Sequence, residues 1–205
     1  RHMELYGTTP RHFAEIAVVT RRHAILNGNV VMNKPLTVEE HHASRMISDP
    51  FRLFDCSLES DGGAAIIVSA ADRARDLKKP LVTVMGVAEG HPESPASIAQ
   101  RTDLLEFGLA KAAPRAYDMA GVGPKDIDVA EIYDCFTFTV INQLELLGFC
   151  KTGEGGPFIM DGRIRVDLRC GSDDPMPDVL AEIPLQLLDA LGQSPIRGDD
   201  DIDRL

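Results

Sequence analysis

The stretch Asp128-Val129-Ala130-Glu131-Ile132-Tyr133-Asp134-Cys135-Phe136-Thr137 sets a phenol, a carboxylate and a thiol in three consecutive residues. Apolar side chains alternate from Ile127 to Tyr133, which predicts a strand, and the run from Phe136 to Leu147 predicts an apolar helix closed by Gly148. The three groups therefore fall at the C-terminal end of a strand, just before a helix. Ligands bind at that edge in open α/β folds, and the first helical turn offers free N–H donors to an oxyanion. Tyr133 is the candidate catalytic residue, donating to a thioester or ketone oxygen or passing a proton, with Asp134 and Cys135 as candidate substrate-binding neighbours. The competing reading is a half-buried tyrosine with Asp134 as helix cap.

Other reactive residues carry less. Cys56, in Phe54-Asp55-Cys56-Ser57, has no helix N-terminus behind it to lower its pKa and reads as a packed thiol. Cys150 follows Gly148 with Lys151 beside it and is expected near the surface, while Cys170 is incidental. These four cysteines are widely spaced, without a C-x-x-C pair, which argues against a zinc site or a disulfide framework and fits a reducing, cytoplasmic compartment. His41 and His42 point about 100° apart on one helix, so they do not easily share a metal and are assigned to the surface. His91, in Glu89-Gly90-His91-Pro92, lies in a loop after a predicted strand and is a candidate substrate-binding residue. Gly153-Glu154-Gly155-Gly156-Pro157-Phe158 matches no phosphate-cradling spacing. It is read as a turn, or as a place where Gly155 and Gly156 admit a substrate arm.

The elements that must position these groups are legible from local signals. The N-terminal Arg1–Tyr6 reads as the middle of a helix, so the chain is expected to be a segment of a longer protein. Thr9-Pro10 opens a helix that Asn27-Gly28 stops, and Thr37-Val38-Glu39-Glu40 opens another, expected to reach about Ile47 before Asp49-Pro50. The apolar runs Ala64–Val68 and Leu81–Val87 predict strands covered on both faces. Leu104 to Met119 is mostly helical, with a break or kink expected at Pro114 and an end at Gly121. Strands alternating with helices predict an α/β layered fold, with Lys78-Lys79-Pro80 as the boundary between two halves.

Composition bounds the function. The chain has 205 residues, 44% of them hydrophobic, with 17 Gly and 4 Cys, which excludes global disorder and collagen-like or disulfide-framework proteins. No apolar run nears the roughly 18 residues of a membrane span. A net charge of −11 argues against nucleic-acid binding. Residues 166–205 carry −7 of that charge and residues 1–165 only −4, so the chain changes character near residue 165. The acidic tail, with Asp173-Asp174 and Asp199-Asp200-Asp201, is expected to be irregular.

Four motifs together resemble the thiolases, and more narrowly the sterol-carrier or lipid-transfer-type subgroup. They are Tyr6-Gly7-Thr8-Thr9, Asp55-Cys56-Ser57-Leu58 with Ser60-Asp61-Gly62-Gly63-Ala64-Ala65, Glu131 to Thr137, and Leu147-Gly148-Phe149-Cys150 through Gly156. The resemblance covers residues 1–164 and implies a thiolase-like α/β/α/β/α layered fold, incomplete here. It places the end of the N-terminal half at 1–77, the start of the C-terminal half at 78–164 and a divergent acidic tail at 165–205. It also implies a homodimer, a coenzyme A thioester as substrate and no bound cofactor.

Two departures refine this. Thiolases of this subgroup carry a His where this chain has Tyr133; a Tyr resembles the steroid-degrading aldolase branch, which implies retro-aldol cleavage of a side-chain β-hydroxyacyl-CoA and an OB-fold partner protein. The thiolase nucleophilic cysteine is expected upstream of residue 1, and the acidic tail stands where a late His-Gly-Gly-type loop is expected after Ile164. The sequence thus points to a thiolase-like enzyme of lipid or steroid metabolism, working by acyl transfer or by carbon–carbon cleavage. The alternative class is a non-catalytic lipid- or acyl-CoA-binding fragment.

Overall fold

A computed structural model describes residues 1–165 except 29, 60, 62, 77–80 and 93–99. The expected boundary at Lys78-Lys79-Pro80, the acidic tail from 166 onward and Cys170 lie outside the described residues.

Local signals set the helices. Helix α1 spans His2–Tyr6, and α2 spans Pro10–Asn27, with Thr9 ahead of it in extended conformation and Gly28 closing it at φ 82°. That left-handed angle is strained for a residue with a Cβ, so the Asn-Gly stop is read correctly from sequence. Helix α3 covers Val38–Ala43 and starts with the expected reciprocal pair: Glu40 N–H donates to Thr37 Oγ1 at 3.1 Å, and Thr37 N–H donates to Glu40 Oε2 at 2.7 Å.

Helix α3 ends earlier than the expected Ile47. Residues 46–48 are drawn instead into strand β1 (Met46–Ser48), antiparallel to β2 (Phe51–Arg52), with Met46 opposite Arg52. The Arg52 guanidinium donates to Ser44 O at 2.7 Å, which fixes the exit from α3. A 3₁₀ turn at Leu53–Asp55 follows. Short helix α4 (Ala71–Ala74) precedes α5 (Leu109–Ala120), α6 (Thr137–Leu146) and α7 (Gly155–Met160). Pro114 sits inside α5 without ending it, and Gly121 closes that helix in left-handed conformation.

Helix α2 packs against α3, α6 and α7. Phe13, Ile16 and Val19 of α2 meet Val140, Ile141 and Leu144 of α6 in one buried cluster, with Ile132, Ile159 and Ile164. Truncating one of the fully buried members, such as Ile141 to Ala, removes about 2–5 kcal/mol of stability.

The expected strands at 64–68, 81–87 and 127–133 are not strands among the described residues, where β1 and β2 form the only sheet. A strand exists only where its backbone groups find a ladder partner, and these runs have none within the described chain. Ile67 is 96% exposed and Val82 89%. Residues 86–90 lie instead along α5. A Cβ on Gly90 would collide with Gly108 O, and Arg115 donates to Glu89 O at 3.2 Å. Around 130–133 the period of two still governs facing: Ile132 is buried while Glu131 and Tyr133 are exposed.

Candidate active site

The approach to α6 is clamped by the segment that follows β2. Ser57 N–H donates to Cys135 O at 3.0 Å, and Cys56 and Phe136 form an isolated antiparallel bridge. The Phe51 and Phe136 rings stack with centroids 5.5 Å apart. Beneath this contact, Asp55 is completely surrounded. Its Oδ1 accepts from His41 Nε2 at 2.7 Å and from Thr137 Oγ1 at 2.8 Å, and its Oδ2 accepts from Arg52 N–H at 2.7 Å. His41, Asp55 and Thr137 are all buried. A buried carboxylate is tolerated only when its lone pairs are met, and these three donors meet them.

The segment is held from the helix side as well. Gln143 Nε2 donates to Tyr133 O at 2.6 Å and to Thr139 O at 3.0 Å, and the Thr139 hydroxyl donates to Phe136 O at 2.6 Å. The main chain of residue 133 is therefore fixed while its phenol is 72% exposed. That differs from the half-buried tyrosine of the competing sequence reading. Asp134 is not the helix cap either; Phe136 precedes α6 in the cap position. Burial raises the Asp134 carboxyl above the usual carboxylate range, partly offset by a backbone hydrogen bond.

Cys135 is half-buried, with its Sγ 3.8 Å from Thr139 Oγ1. Tyr133, Asp134 and Cys135 thus share one clamped segment. His91 lies elsewhere in the chain, exposed, with Nε2 3.0 Å from Glu89 Oε1.

Gly155 and Gly156 open helix α7 where a turn was expected. Both are buried, and the space beside them is already filled. A Cβ on Gly155 would stand 2.8 Å from Ile141 Cγ2, and one on Gly156 would collide with the His12 ring. The helix forms because Gly155 N–H donates to Glu145 Oε1 at 2.9 Å, giving the first turn an acceptor. Glu145 Oε2 lies 3.1 Å from His2 Nε2, and His2 Nδ1 lies 2.7 Å from Thr8 Oγ1.

The other thiols are poor nucleophiles. Burial, and then Glu145 and Glu154, push Cys150 up to about 12, so it is half-buried rather than surface-reactive. Burial and the neighbouring Asp55 raise Cys56. Among the described residues no three His, Cys, Asp or Glu side chains are placed to hold a metal, and no helix is long and apolar enough to cross a membrane.

Sequence reasoning placed His41 on the surface and passed over Asp55, Thr137 and Gln143. The surface assignment is corrected: His41 is fully buried because Asp55 accepts its ring N–H. Thr137 and Asp55 are 82 residues apart, and no local pattern announces such a pair.

With the fold and this geometry in hand, comparison with known proteins gives the class. Residues 90–171 match the thiolase C-terminal domain-like family, so this part of the chain is thiolase C-terminal-like. A steroid side-chain-cleaving aldolase of Thermomonospora curvata is 40% identical over 172 residues, 81% of this chain and 44% of that protein. An acetyl-CoA acetyltransferase of Methanothermobacter thermautotrophicus is 38% identical, over 82% of this chain and 43% of that protein. A solved structure described as an Ltp2-ChsH2(DUF35) aldolase superposes with a TM-score of 0.74 at 35% identity, covering 80% of this chain and 44% of that one. The thiolase-like fold expected from the motifs therefore holds, and the chain spans less than half the length of these relatives.

Proposed function

We propose that this chain supplies the Tyr133-bearing part of an enzyme of lipid or steroid metabolism that cleaves a carbon–carbon bond in a β-hydroxyacyl-CoA. The observation that carries the reading is Tyr133 itself, an exposed phenol on a main chain clamped from two sides. In a retro-aldol step the β-hydroxyl proton is removed and the Cα–Cβ bond breaks. Its electron pair passes into the thioester enolate, which is then protonated, leaving a ketone or aldehyde and a shorter acyl-CoA. No thiol nucleophile is needed, in keeping with the raised Cys56 and Cys150. Tyr133 passes the proton, and the Asp134-Cys135 backbone lines the approach.

The substrate is a coenzyme A thioester, with no cofactor bound between turnovers. Similarity to the steroid side-chain-cleaving aldolase supports the lyase reading, and similarity to the solved Ltp2-ChsH2(DUF35) aldolase supports a partner protein, which the proposal takes to be an OB-fold protein acting beside a homodimer of the enzyme. The free thiols Cys56, Cys135 and Cys150 suit a reducing cytoplasm. Thiolytic acyl transfer is the second reading, favoured by the similar acetyl-CoA acetyltransferase.

The test uses the full-length natural protein, offered a steroid side-chain β-hydroxyacyl-CoA or, separately, a β-ketoacyl-CoA with free CoA. Cleavage of the first, reduced about 100-fold or more in kcat by Tyr133→Phe, is expected. Turnover of only the second substrate overturns the lyase reading, and a fully active Tyr133→Phe removes Tyr133 from the mechanism.

A further inference from the structure

We infer that Thr137 is a positioning residue for Tyr133, acting through the buried Asp55 carboxylate that His41 holds in place. Thr137 is the first residue of α6, four positions beyond Tyr133, and it is buried. A serine or threonine at the start of a helix commonly turns its hydroxyl to its own backbone. Here the hydroxyl instead crosses to Asp55 Oδ1 at 2.8 Å, joining α6 to a turn 82 residues away.

Asp55 cannot follow if α6 shifts. Its second oxygen is taken by Arg52 N–H at 2.7 Å, and its first also receives His41 Nε2 at 2.7 Å. His41 in turn sits on α3, which packs against α2 of the core. The start of α6 is thereby referenced to the core through buried polar contacts, whose geometry is stiff because an unpaired partner is costly there. Gln143 fixes the Tyr133 carbonyl from within α6, so the phenol inherits whatever position α6 takes. Proton transfer requires heavy-atom distances near 3 Å, and a misplacement of about 1 Å costs up to about 100-fold in rate.

The structural part of this inference stands alone; its catalytic consequence rests on the proposed lyase activity. Both parts are tested in the full-length protein with 3-fluorotyrosine incorporated. Tyr6, Tyr117 and Tyr133 are the tyrosines of this 205-residue chain, and Tyr133→Phe and Tyr117→Phe assign the two signals of interest in the full-length spectrum. Thr137→Val, which keeps the shape and removes the hydroxyl, is expected to shift or broaden the Tyr133 resonance. The Tyr117 resonance, whose hydroxyl is tied to Leu147 O, should stay in place.

Thr137→Ser should restore the Tyr133 signal. With the β-hydroxyacyl-CoA, Thr137→Val should lower kcat about tenfold or more with KM within about twofold, and should cause no further loss in the Tyr133→Phe background. An unmoved Tyr133 resonance overturns the inference even in an active enzyme. A moved resonance in a protein whose wild type never cleaves the substrate sinks the lyase reading and leaves the positioning in place. If Thr137→Val does not fold, Asp55→Asn takes its place: a moved Tyr133 resonance supports the positioning, and an unmoved one overturns it.

Discussion

Replacing Glu145 separates the architecture of α6 and α7 into its parts. In the native chain its two oxygens serve two buried groups on other elements: Gly155 N–H at 2.9 Å and His2 Nε2 at 3.1 Å. Glu145→Ala strands both donors, each worth about 1–3 kcal/mol once unpaired and buried. Losing the carboxylate also relieves its own desolvation, which trims the gross loss, so a net loss of about 2–5 kcal/mol is expected. For a chain of this size that corresponds to a fall in Tm of about 4–20 °C. Glu145→Gln should cost far less. Its amide oxygen can still accept from Gly155, and its NH₂ can donate to His2 Nε2 once the ring proton moves to Nδ1 and donates to Thr8 Oγ1, 2.7 Å away. Circular dichroism during thermal and urea unfolding measures both variants. If Gln proves as damaging as Ala, the carboxylate's charge matters rather than its hydrogen-bond geometry, and the reasoning fails. A Tm for Glu145→Ala within about 2 °C of wild type refutes it outright.

Two pH experiments follow from the same structure. Cys150, pushed up to about 12, should remain a thiol at pH 8 and react with iodoacetamide far more slowly than a free cysteine, with labelling rising only as pH nears that value; rapid labelling at pH 8 contradicts its burial. Asp134, raised by burial, holds its proton more tightly folded than unfolded, so its contribution to stability falls as pH rises from the unfolded carboxyl value of 3.8 through the raised folded one. Asp134→Asn should flatten that part of the stability–pH curve, and a curve identical to wild type as pH rises above 3.8 counts against the assignment.

What the sequence discloses and what it hides divide along contact distance. The Asn27-Gly28 stop, the Thr37–Glu40 reciprocal cap and the Gly121 and Gly148 terminators are decided by neighbours within four residues, and all are found where expected. The strands expected at 64–68 and 81–87 depend on ladder partners, which no local pattern guarantees, and the described chain supplies none. The glycines at 155 and 156 read as a turn because their helix depends on an acceptor, Glu145, ten residues upstream. The candidate site divides in the same way. Tyr133 is legible from its type and place, whereas the Asp55 contact that anchors the adjoining helix joins distant parts of the chain and has no signature in either.

The exposed phenol on a fixed main chain carries one more consequence. Because the Tyr133 side chain adds little to the buried cluster, exchanging it is nearly free in folding energy, and position 133 works as an interchangeable tip on a rigid holder. Selection can therefore rewrite the chemistry here without first acquiring stabilising changes elsewhere. The usual conflict between a new activity and a sound fold is displaced from the reactive group to the buried residues that hold it, where change is expensive and variation should be scarce.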